Sequence, residues 1–429
     1  MTSKEAFEYL DQLNSGGIHP GLTDIKAVLD ACGNPQKKGK YIQITGTNGK
    51  GSTALMISNI LREAGYRVGV YASPAVFDPL EIISVNGRNI SKADHARLTE
   101  KIAAVIKTNN LPATRFEFET VMAFLFFEER ECDVVVLEAG MGGELDATNV
   151  VESNIAAVFT PIGMDHAAYL GNTVEKIAAT KAGIMKAGGM AVSAVQTKEV
   201  MDVLKDRAAN IGDILHVVAE DRIKNVSSKL NGNRFDYKDY KKLEIGLAGR
   251  FQVMNACTAI EAVLAINDYL DRNVSENNIR NGLHKSMNHG RFEVCAGKPT
   301  FIFDGAHNEP AAIRLRESLE LLCGGKRLIY ILSMLKDKDI DKFVSITVPP
   351  ASHVITVTSP NRARALPSVE LAKYVSEYHN MITTADSIEE AVELAKMMAD
   401  KDTVVVVTGS LSHLMAVKKC IKMKPINKV

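Results

Sequence analysis

The spacing of apolar residues divides this chain into elements before any motif is considered. Phe7, Leu10 and Leu13 recur at helical spacing behind a Thr2–Glu5 pair that can close a capping box. Ile25, Val28, Leu29 and Cys32 repeat the pattern behind Thr23. Two helices are predicted. The rhythm then changes: Tyr41–Thr45 reads as a strand, a Gly-rich turn follows, and Ser52–Gly65 is helical, with Gly65 placed to end it. Arg67–Tyr71 reads as the next strand. Strand, turn, helix, strand in this order predicts a βαβ unit of a parallel sheet.

The alternation continues. A helix is predicted near Glu117–Glu131, and strands at Cys132–Glu138 and Asn154–Thr160, both short and rich in β-branched residues, as parallel strands buried on two faces are. A helix is expected over Val174–Lys186, a surface hairpin over the polar stretch Asn231–Lys242, and a long helix from about Arg250 to Leu270. After His289-Gly290-Arg291 the α/β rhythm restarts, with strand-like segments beginning at Thr300, Arg327, His353 and Thr403. The expected fold is α/β: a parallel-sheet domain over residues 1–288, then a smaller α/β domain over 289–429. The boundary falls within residues 285–298, and neither an internal repeat nor a low-complexity segment is evident.

A length of 429 residues exceeds one ordinary core and fits this division. Apolar residues at 46% and charged residues at 24% describe a folded globular chain, not a disordered one. Basic and acidic residues balance at 51 each, which argues against the basic stripe of a nucleic-acid binder but leaves room for a local anion site. The six cysteines (Cys32, Cys132, Cys257, Cys295, Cys323, Cys420) form no close CxxC pair, so a zinc or redox motif is not expected. They read as reduced, mostly buried thiols of a cytoplasmic protein. The N-terminal MTSKEAFEYLDQL lacks the basic-then-apolar pattern of a signal peptide, and no apolar run is long enough for a bilayer. Small-molecule partners are therefore expected, not nucleic acid or membrane, and a monomer.

The turn Gly46-Thr47-Asn48-Gly49-Lys50-Gly51-Ser52 lies between a strand and a helix, where a phosphate cradle belongs. Glycines let backbone N–H groups face phosphate oxygens, and the helix N-terminus adds a favourable dipole. Lys50 can offset the outer phosphates and the Ser52 hydroxyl can face a magnesium ion. The spacing departs from GxxxxGK[ST], because Gly51 separates the lysine from the serine. Three further groups stand at the ends of predicted strands, at the sheet edge where ligands of open α/β sheets bind: Glu138 ends one, and His166 and Ser73 follow two others. Oxygen ligands and an imidazole near phosphate suit Mg²⁺ that keeps several waters. Taken one at a time, His166 reads as structural, Glu138 as an ion-pair partner and Lys181 as a solvated helix lysine.

The variant GTNGKGS resembles the Mur ligase superfamily, and within it the folylpolyglutamate synthase/dihydrofolate synthase branch. The likeness is carried in chain order by EAGMGGELDATN (Glu138–Asn149), MDHAAYLGNT (Met164–Thr173), KAGIMK (Lys181–Lys186), GRFQVMNA (Gly249–Ala256), HGRFEV (His289–Val294) and DGAHN (Asp304–Asn308), then by SPNRARALP and TGSLSHL. The resemblance implies an ATP-dependent ligase, with a P-loop, parallel-sheet ATP-binding domain and substrate cleft over residues 1–288 and a smaller Rossmann-like α/β domain over 289–429. It assigns Mg²⁺ to Ser52, Ser73, Glu138 and His166, and ATP to Thr47, Asn48, Gly49, Lys50, Gly51, Ser52, Asn255, Arg291, Asp304 and His307. It implies carbamylation of Lys181, which turns a cation into an anionic group beside the metal. Lys50, Glu138, His166 and Lys181 become the expected catalytic set. Without the family, Asp304 reads as a helix cap and Arg291 as a surface ion-pair partner. A nucleotide shared by two domains implies closure before chemistry.

By the same resemblance the pterin contacts fall on Gly21, Leu22, Phe116, Glu117, Asp146 and Ala147. The chain departs from the family after Ser73-Pro74. A histidine and an ERI stretch are common there; this chain has Ala75 and Phe77-Asp78-Pro79-Leu80-Glu81-Ile82 before the retained VNG ending at Gly87. The expected reaction adds L-glutamate to the carboxylate of a folate, and also to dihydropteroate if the chain is bifunctional, through an acyl phosphate made from ATP. Two other readings compete. One is a Mur-type ligase acting on a UDP-sugar peptide, against which EAGMGGELDATN and DGAHN weigh. The other is a P-loop nucleotide switch, which leaves Glu138, Lys181 and the later motifs unexplained.

Overall fold

The computed structural model describes residues 1–13, 21–287, 289–361 and 363–421. Asn288 at the expected domain boundary and Arg362 of SPNRARALP lie outside the described residues. Two compact units form: Met1–Asp221 with Met254–Leu283, and Arg222–Val253 with His284–Val429.

The first unit is built on strands β1 (Tyr41–Thr45), β2 (Val68–Tyr71), β3 (Ile83–Val85), β4 (Arg88–Asn89), β5 (Val134–Glu138), β6 (Ala156–Phe159), β7 (Met190–Ser193) and β8 (Leu215–Val217). Their order is β4-β3-β2-β5-β1-β6-β7-β8. From β2 to β8 every pair is parallel, and β3 and β4 add an antiparallel edge. Helices α1 (Ser3–Leu13), α2 (Thr23–Ala31), α3 (Lys50–Glu63), α4 (Lys92–Asn109), α5 (Arg115–Glu129), α6 (Ala167–Leu170), α7 (Val174–Ala182) and α8 (Lys198–Asn210) belong to the same unit. Strand β1 is buried throughout and lies between β5 and β6, so the turn after it opens where the connections diverge to the two sides. The apolar run Val121–Phe127, with Phe118 before it, makes α5 buried around most of its circumference, and it anchors a core with Leu10, Ile25, Leu29, Tyr71 and Leu137.

In the second unit β9 (Ile223–Lys229), β10 (Gly232–Tyr237) and β11 (Tyr240–Ile245) form a small antiparallel sheet. The larger sheet runs β12 (Arg291–Cys295), β13 (Thr300–Asp304), β17 (Thr403–Thr408), β14 (Arg327–Leu332), β15 (His353–Val357) and β16 (Ile382–Ala385) in spatial order. All pairs are parallel except β12–β13. The core of this unit gathers Val404, Val406, Tyr330 and Leu332 beneath the helices Glu309–Cys323 and Ile340–Thr347.

Several elements differ from expectation. The expected hairpin at 231–242 is two strands of three, because β9 pairs along β10. The helix carrying Lys181 stops at Ala182, where Gly183 caps it, and does not reach Lys186. The helix expected over 250–270 spans Phe251–Ala265, followed by a short 3₁₀ turn at Asn267–Tyr269. Three of the six thiols are buried and three half-buried, all six unpaired with one another, so the expectation of mostly buried cysteines was too strong. No helix among the described residues is long and apolar enough to cross a membrane.

Candidate active site

The Gly-rich turn follows β1 and runs into α3, which begins at Lys50 with Gly49 as its N-cap. Gly49 has φ +96°, and a Cβ there would lie 2.4 Å from the Asn255 amide oxygen. Only glycine meets both demands, the backbone twist and the close approach. This packing brings buried Asn255, on the helix Phe251–Ala265, against the turn. The turn is tied to the segment after β6 as well. Thr47 Oγ1 donates to the Gly163 carbonyl and accepts from the Gly163 N–H, both at 2.9 Å, while the Thr47 N–H donates to Pro161 O. Ser52 is buried in the first turn of α3.

Two lysines converge on one carbonyl. Lys50 Nζ lies 3.2 Å from Gly46 O and 3.3 Å from Thr47 O, and Lys181 Nζ donates to the same Gly46 O at 2.9 Å. Lys181 is 4% exposed. It is therefore not the solvated helix lysine that its sequence context gives when read alone. The reason is the acidic Gly-rich loop, which lies directly on the last turn of α7: a Cβ on Gly143 would sit 2.8 Å from Lys181 O. Burial first, and the like charge of Lys50 second, pull the Lys181 amine down to about 7, against the opposing pull of Asp165 and Asp146. A substantial share of this amine is neutral at physiological pH.

Glu138 ends β5 and is buried. Its register partner is Ile44, and the next residue, Ala139, donates to Ile44 O at 2.9 Å, so the carboxylate stands at the strand edge beside the base of the turn. The loop beyond it is fixed to β1 by Thr45 Oγ1 donating to Gly142 O at 2.6 Å. Tyr71, the last residue of β2, pairs with Leu137, which brings half-buried Ser73 to the same edge two residues later. His166 is on the segment after β6 at φ +52°, with its side chain 38% exposed and Nε2 3.9 Å from Asp165 Oδ2. Among the described residues no three His, Cys, Asp or Glu side chains gather as a metal cluster.

The expected pterin residues divide into two kinds. Half-buried Phe116 stands 5.9 Å from the Tyr71 ring at 37°, beneath Gly140, whose Cβ position is 2.6 Å from the Phe116 ring. Leu22 starts α2 and is half-buried, with Gly21 before it. Glu117 and Asp146 already have partners. Glu117 Oε2 accepts from Thr114 N and Oγ1, both at 2.8 Å, in a capping box. Asp146 accepts from Met141 N, Thr148 N and Thr148 Oγ1, ordering the acidic loop and capping the turn that begins at Ala147. The departure after Ser73-Pro74 is internally tied: Glu81 Oε1 accepts from Val76 N and Phe77 N, and Asp78 caps the turn at Leu80.

In the second unit Arg291 and Asp304 are register partners across β12 and β13. Asp304 is not a helix cap. Asn308 takes that role, accepting from Ala311 N at 3.0 Å, while Asp304 accepts from Phe292 N and Ala306 N, both at 2.8 Å. Burial raises the Asp304 carboxyl to about 6, against the amide donors and Arg291. His307 Nδ1 lies 2.7 Å from Gly305 O. The sequence reading gave no role to Tyr71, which carries no motif signal, or to Asp165, although Asp165 lies in MDHAAYLGNT: each matters through what folding sets beside it.

A Gly-rich turn at a parallel-sheet switch point, two lysines at its base and a buried carboxylate on the adjacent strand define a nucleotide-dependent P-loop enzyme site. The comparisons agree and go further. Residues 44–263 match the Mur ligase middle domain, and residues 290–411 the Mur ligase, glutamate ligase domain. The dihydrofolate synthase/folylpolyglutamate synthase of Bacillus subtilis is 34% identical over 418 residues, covering 95% of this chain and 96% of that protein. The folylpolyglutamate synthase of Lacticaseibacillus casei is 33% identical over 408 residues, covering 92% of this chain and 93% of that one. The solved Mycobacterium tuberculosis folylpolyglutamate synthase complexed with ADP superposes with a TM-score of 0.89 at 29% identity, covering 99% of both chains. The Escherichia coli FolC structure in complex with DHPP and ADP gives 0.86 at 30% identity, covering 98% of both. The chain belongs to the dihydrofolate synthase/folylpolyglutamate synthase family of Mur ligases.

Proposed function

We propose that this protein joins L-glutamate to the carboxylate of a folate, or of dihydropteroate, at the expense of ATP. The observation that carries the reading is the convergence of Lys50 and Lys181 on Gly46 O beside the edge that holds Glu138. That constellation serves phosphoryl transfer to a carboxylate, and the relatives' names supply the acceptor.

In the proposed reaction the substrate carboxylate attacks the γ-phosphate in line, giving an acyl phosphate and ADP. Lys50 turns from its own loop carbonyls toward the phosphates and offsets their growing charge. The neutral amine of glutamate then attacks the activated carbonyl, and phosphate leaves. Thr47, Asn48, Gly49 and Gly51 supply backbone around the phosphates, and Asn255 stands against Gly49. Arg291, Asp304 and His307 are the candidate nucleotide contacts of the second unit. Phe116 offers a ring face to the pterin, with Gly21, Leu22 and Ala147 as neighbouring candidates. Glu117 and Asp146 act by holding the backbone that shapes this surface.

The donor set fits Mg²⁺. One buried carboxylate, two hydroxyls and an imidazole suit a hard cation that completes its shell with phosphate and water. Ser52, Ser73, Glu138 and His166 would hold it, with Lys181 joining as a carbamate. A metal held by these residues would supply positive charge against the phosphoryl oxygens. The low basicity of buried Lys181 supports the carbamate, because CO₂ reacts only with the neutral amine. The six cysteines form no disulfide, which favours a reducing, cytoplasmic setting, and a monomer is proposed, to be checked by light scattering. ATP hydrolysis is measured with pteroate or folate against a UDP-linked acid, each with glutamate. Turnover with the folate-type acid supports the reading; turnover with the UDP-linked acid alone would replace it.

A further inference from the structure

Arg291 sits at a strained point of the second unit. The β12–β13 register shifts between Arg291 and Glu293, and Phe292, in the bulge, has φ +53°, a conformation unfavourable for a bulky residue. Such strain persists only where the surroundings impose it. Here the backbone is held on both sides of Arg291. On one side Asp304 accepts the Phe292 N–H at 2.8 Å. On the other, Glu293 Oε2 accepts the Gly290 N–H at 3.0 Å, and Gly290 O accepts from Gly305 N at 2.9 Å.

Glu293 is buried, its side chain 6% exposed, and none of the site residues assigned above includes it. Its Oε1 is engaged by Lys418 Nζ, from the helix Leu411–Ile421, and lies 3.2 Å from His289 Nδ1. Burying a carboxylate with a lysine gives little net stability over an apolar pair of the same volume, so stability alone accounts poorly for it. What this pair does is local: it fixes His289 and Gly290, the two residues that lead the chain into Arg291.

We propose that Glu293, braced by Lys418, is a positioning residue that aims Arg291 at the nucleotide. The bulge at Phe292 sets Arg291 apart from the rest of β12, Asp304 holds the residue after it, and Glu293 holds the residue before it. This rests on the proposed role of Arg291 in binding ATP. The expected consequence is selective. Loosening the Glu293 anchor misplaces one guanidinium and leaves the folate and glutamate contacts as they were.

The test is steady-state kinetics and thermal denaturation of the full chain with Glu293→Gln, Lys418→Met, Arg291→Ala and the double variant Arg291→Ala/Glu293→Gln. Glu293→Gln is expected to raise KM for ATP roughly tenfold, the scale of a modest misplacement. KM for folate and for glutamate should stay within about twofold, inside what a remote contact moves. Lys418→Met, which leaves Glu293 in place, should give a smaller effect in the same direction. In the Arg291→Ala background Glu293→Gln should add nothing to KM for ATP, since the group it aims is gone. If Arg291→Ala itself leaves KM for ATP unchanged, the nucleotide role of Arg291 is wrong and the inference falls with it. If Arg291→Ala raises KM for ATP and folded Glu293→Gln and Lys418→Met do not, Glu293 is a structural ion-pair partner and only the positioning role is overturned. Additive effects in the double variant overturn it too.

Discussion

Supplying ¹³C-bicarbonate to the protein between pH 6 and 9 should label one lysine, Lys181, as a carbamate. An ordinary lysine at pH 7, with a pKa near 10.5, has on the order of 1 neutral amine in 3000. Lys181 is pulled to about 7, so about half of it is neutral at the same pH. The reactive fraction is thus higher by about 10³-fold than at a surface lysine. ¹³C NMR of the wild type should show one slow-exchanging carbamate signal that grows between pH 6 and 8, and Lys181→Met should abolish it. The same shift makes a stability prediction in CO₂-free buffer. The folded state releases the Lys181 proton more readily than the unfolded chain, so the penalty for burying this amine is full below about 7 and vanishes above 10.5. Wild-type stability should therefore rise with pH across that window, by a few kcal/mol at most, and Lys181→Met should flatten the slope. A signal that survives in Lys181→Met, or no signal in fully active wild type saturated with magnesium and nucleotide, would refute the reasoning.

Lys50→Ala should keep the fold and lower turnover by roughly 10²-fold or more, the scale of losing one preorganised contact to transition-state charge; near-normal turnover in folded protein removes the phosphate-loop assignment. Glu138→Gln should move the magnesium activation curve to higher concentration, because an amide binds a hard cation less well than a carboxylate; an unmoved curve with a lowered melting temperature would make Glu138 structural. Gly49→Ala places a methyl 2.4 Å from Asn255 Oδ1 at φ +96°, so nucleotide affinity by titration should fall. Asn255→Ala in the same chain should not restore it fully, since the backbone strain of about 1–2 kcal/mol remains. The folded state binds the Asp304 proton more tightly than the unfolded chain, so this group lowers stability as pH rises from 3.8 to about 6; denaturant titrations of Asp304→Asn should lack that component.

Much of this was legible in the chain because local rules and tertiary packing agree. The Thr2–Glu5 capping box forms as predicted, with Thr2 N donating to Glu5 at 2.7 Å and Glu5 N to Thr2 Oγ1 at 3.3 Å. β1 has the predicted bounds, Tyr41–Thr45, because five consecutive residues are buried on both faces of the sheet and no turn residue interrupts them. Lys181 shows where local reading stops. A lysine in a helical segment is ordinarily solvated, and only the loop folded over it, 38 residues earlier at Gly143, reverses that. Edge strands were missed for a similar reason. β16 is the polar, half-exposed ITTA, and β12 is interrupted by a bulge, so neither has the apolar signature of the central strands. Glu293 lies within HGRFEV, but nothing local to that segment shows what it does, because its partner Lys418 is 125 positions away.

The chain is an ATP-dependent ligase of the folate-glutamate type, and its products test that most directly. Purified protein is incubated with ATP, Mg²⁺, L-glutamate and either tetrahydrofolate or dihydropteroate, and the products are read by mass spectrometry. One glutamyl residue is expected on the acceptor for each ATP converted to ADP and phosphate, with no product when glutamate is omitted. ATP hydrolysis that proceeds equally well without glutamate and leaves both acceptors unchanged would contradict it.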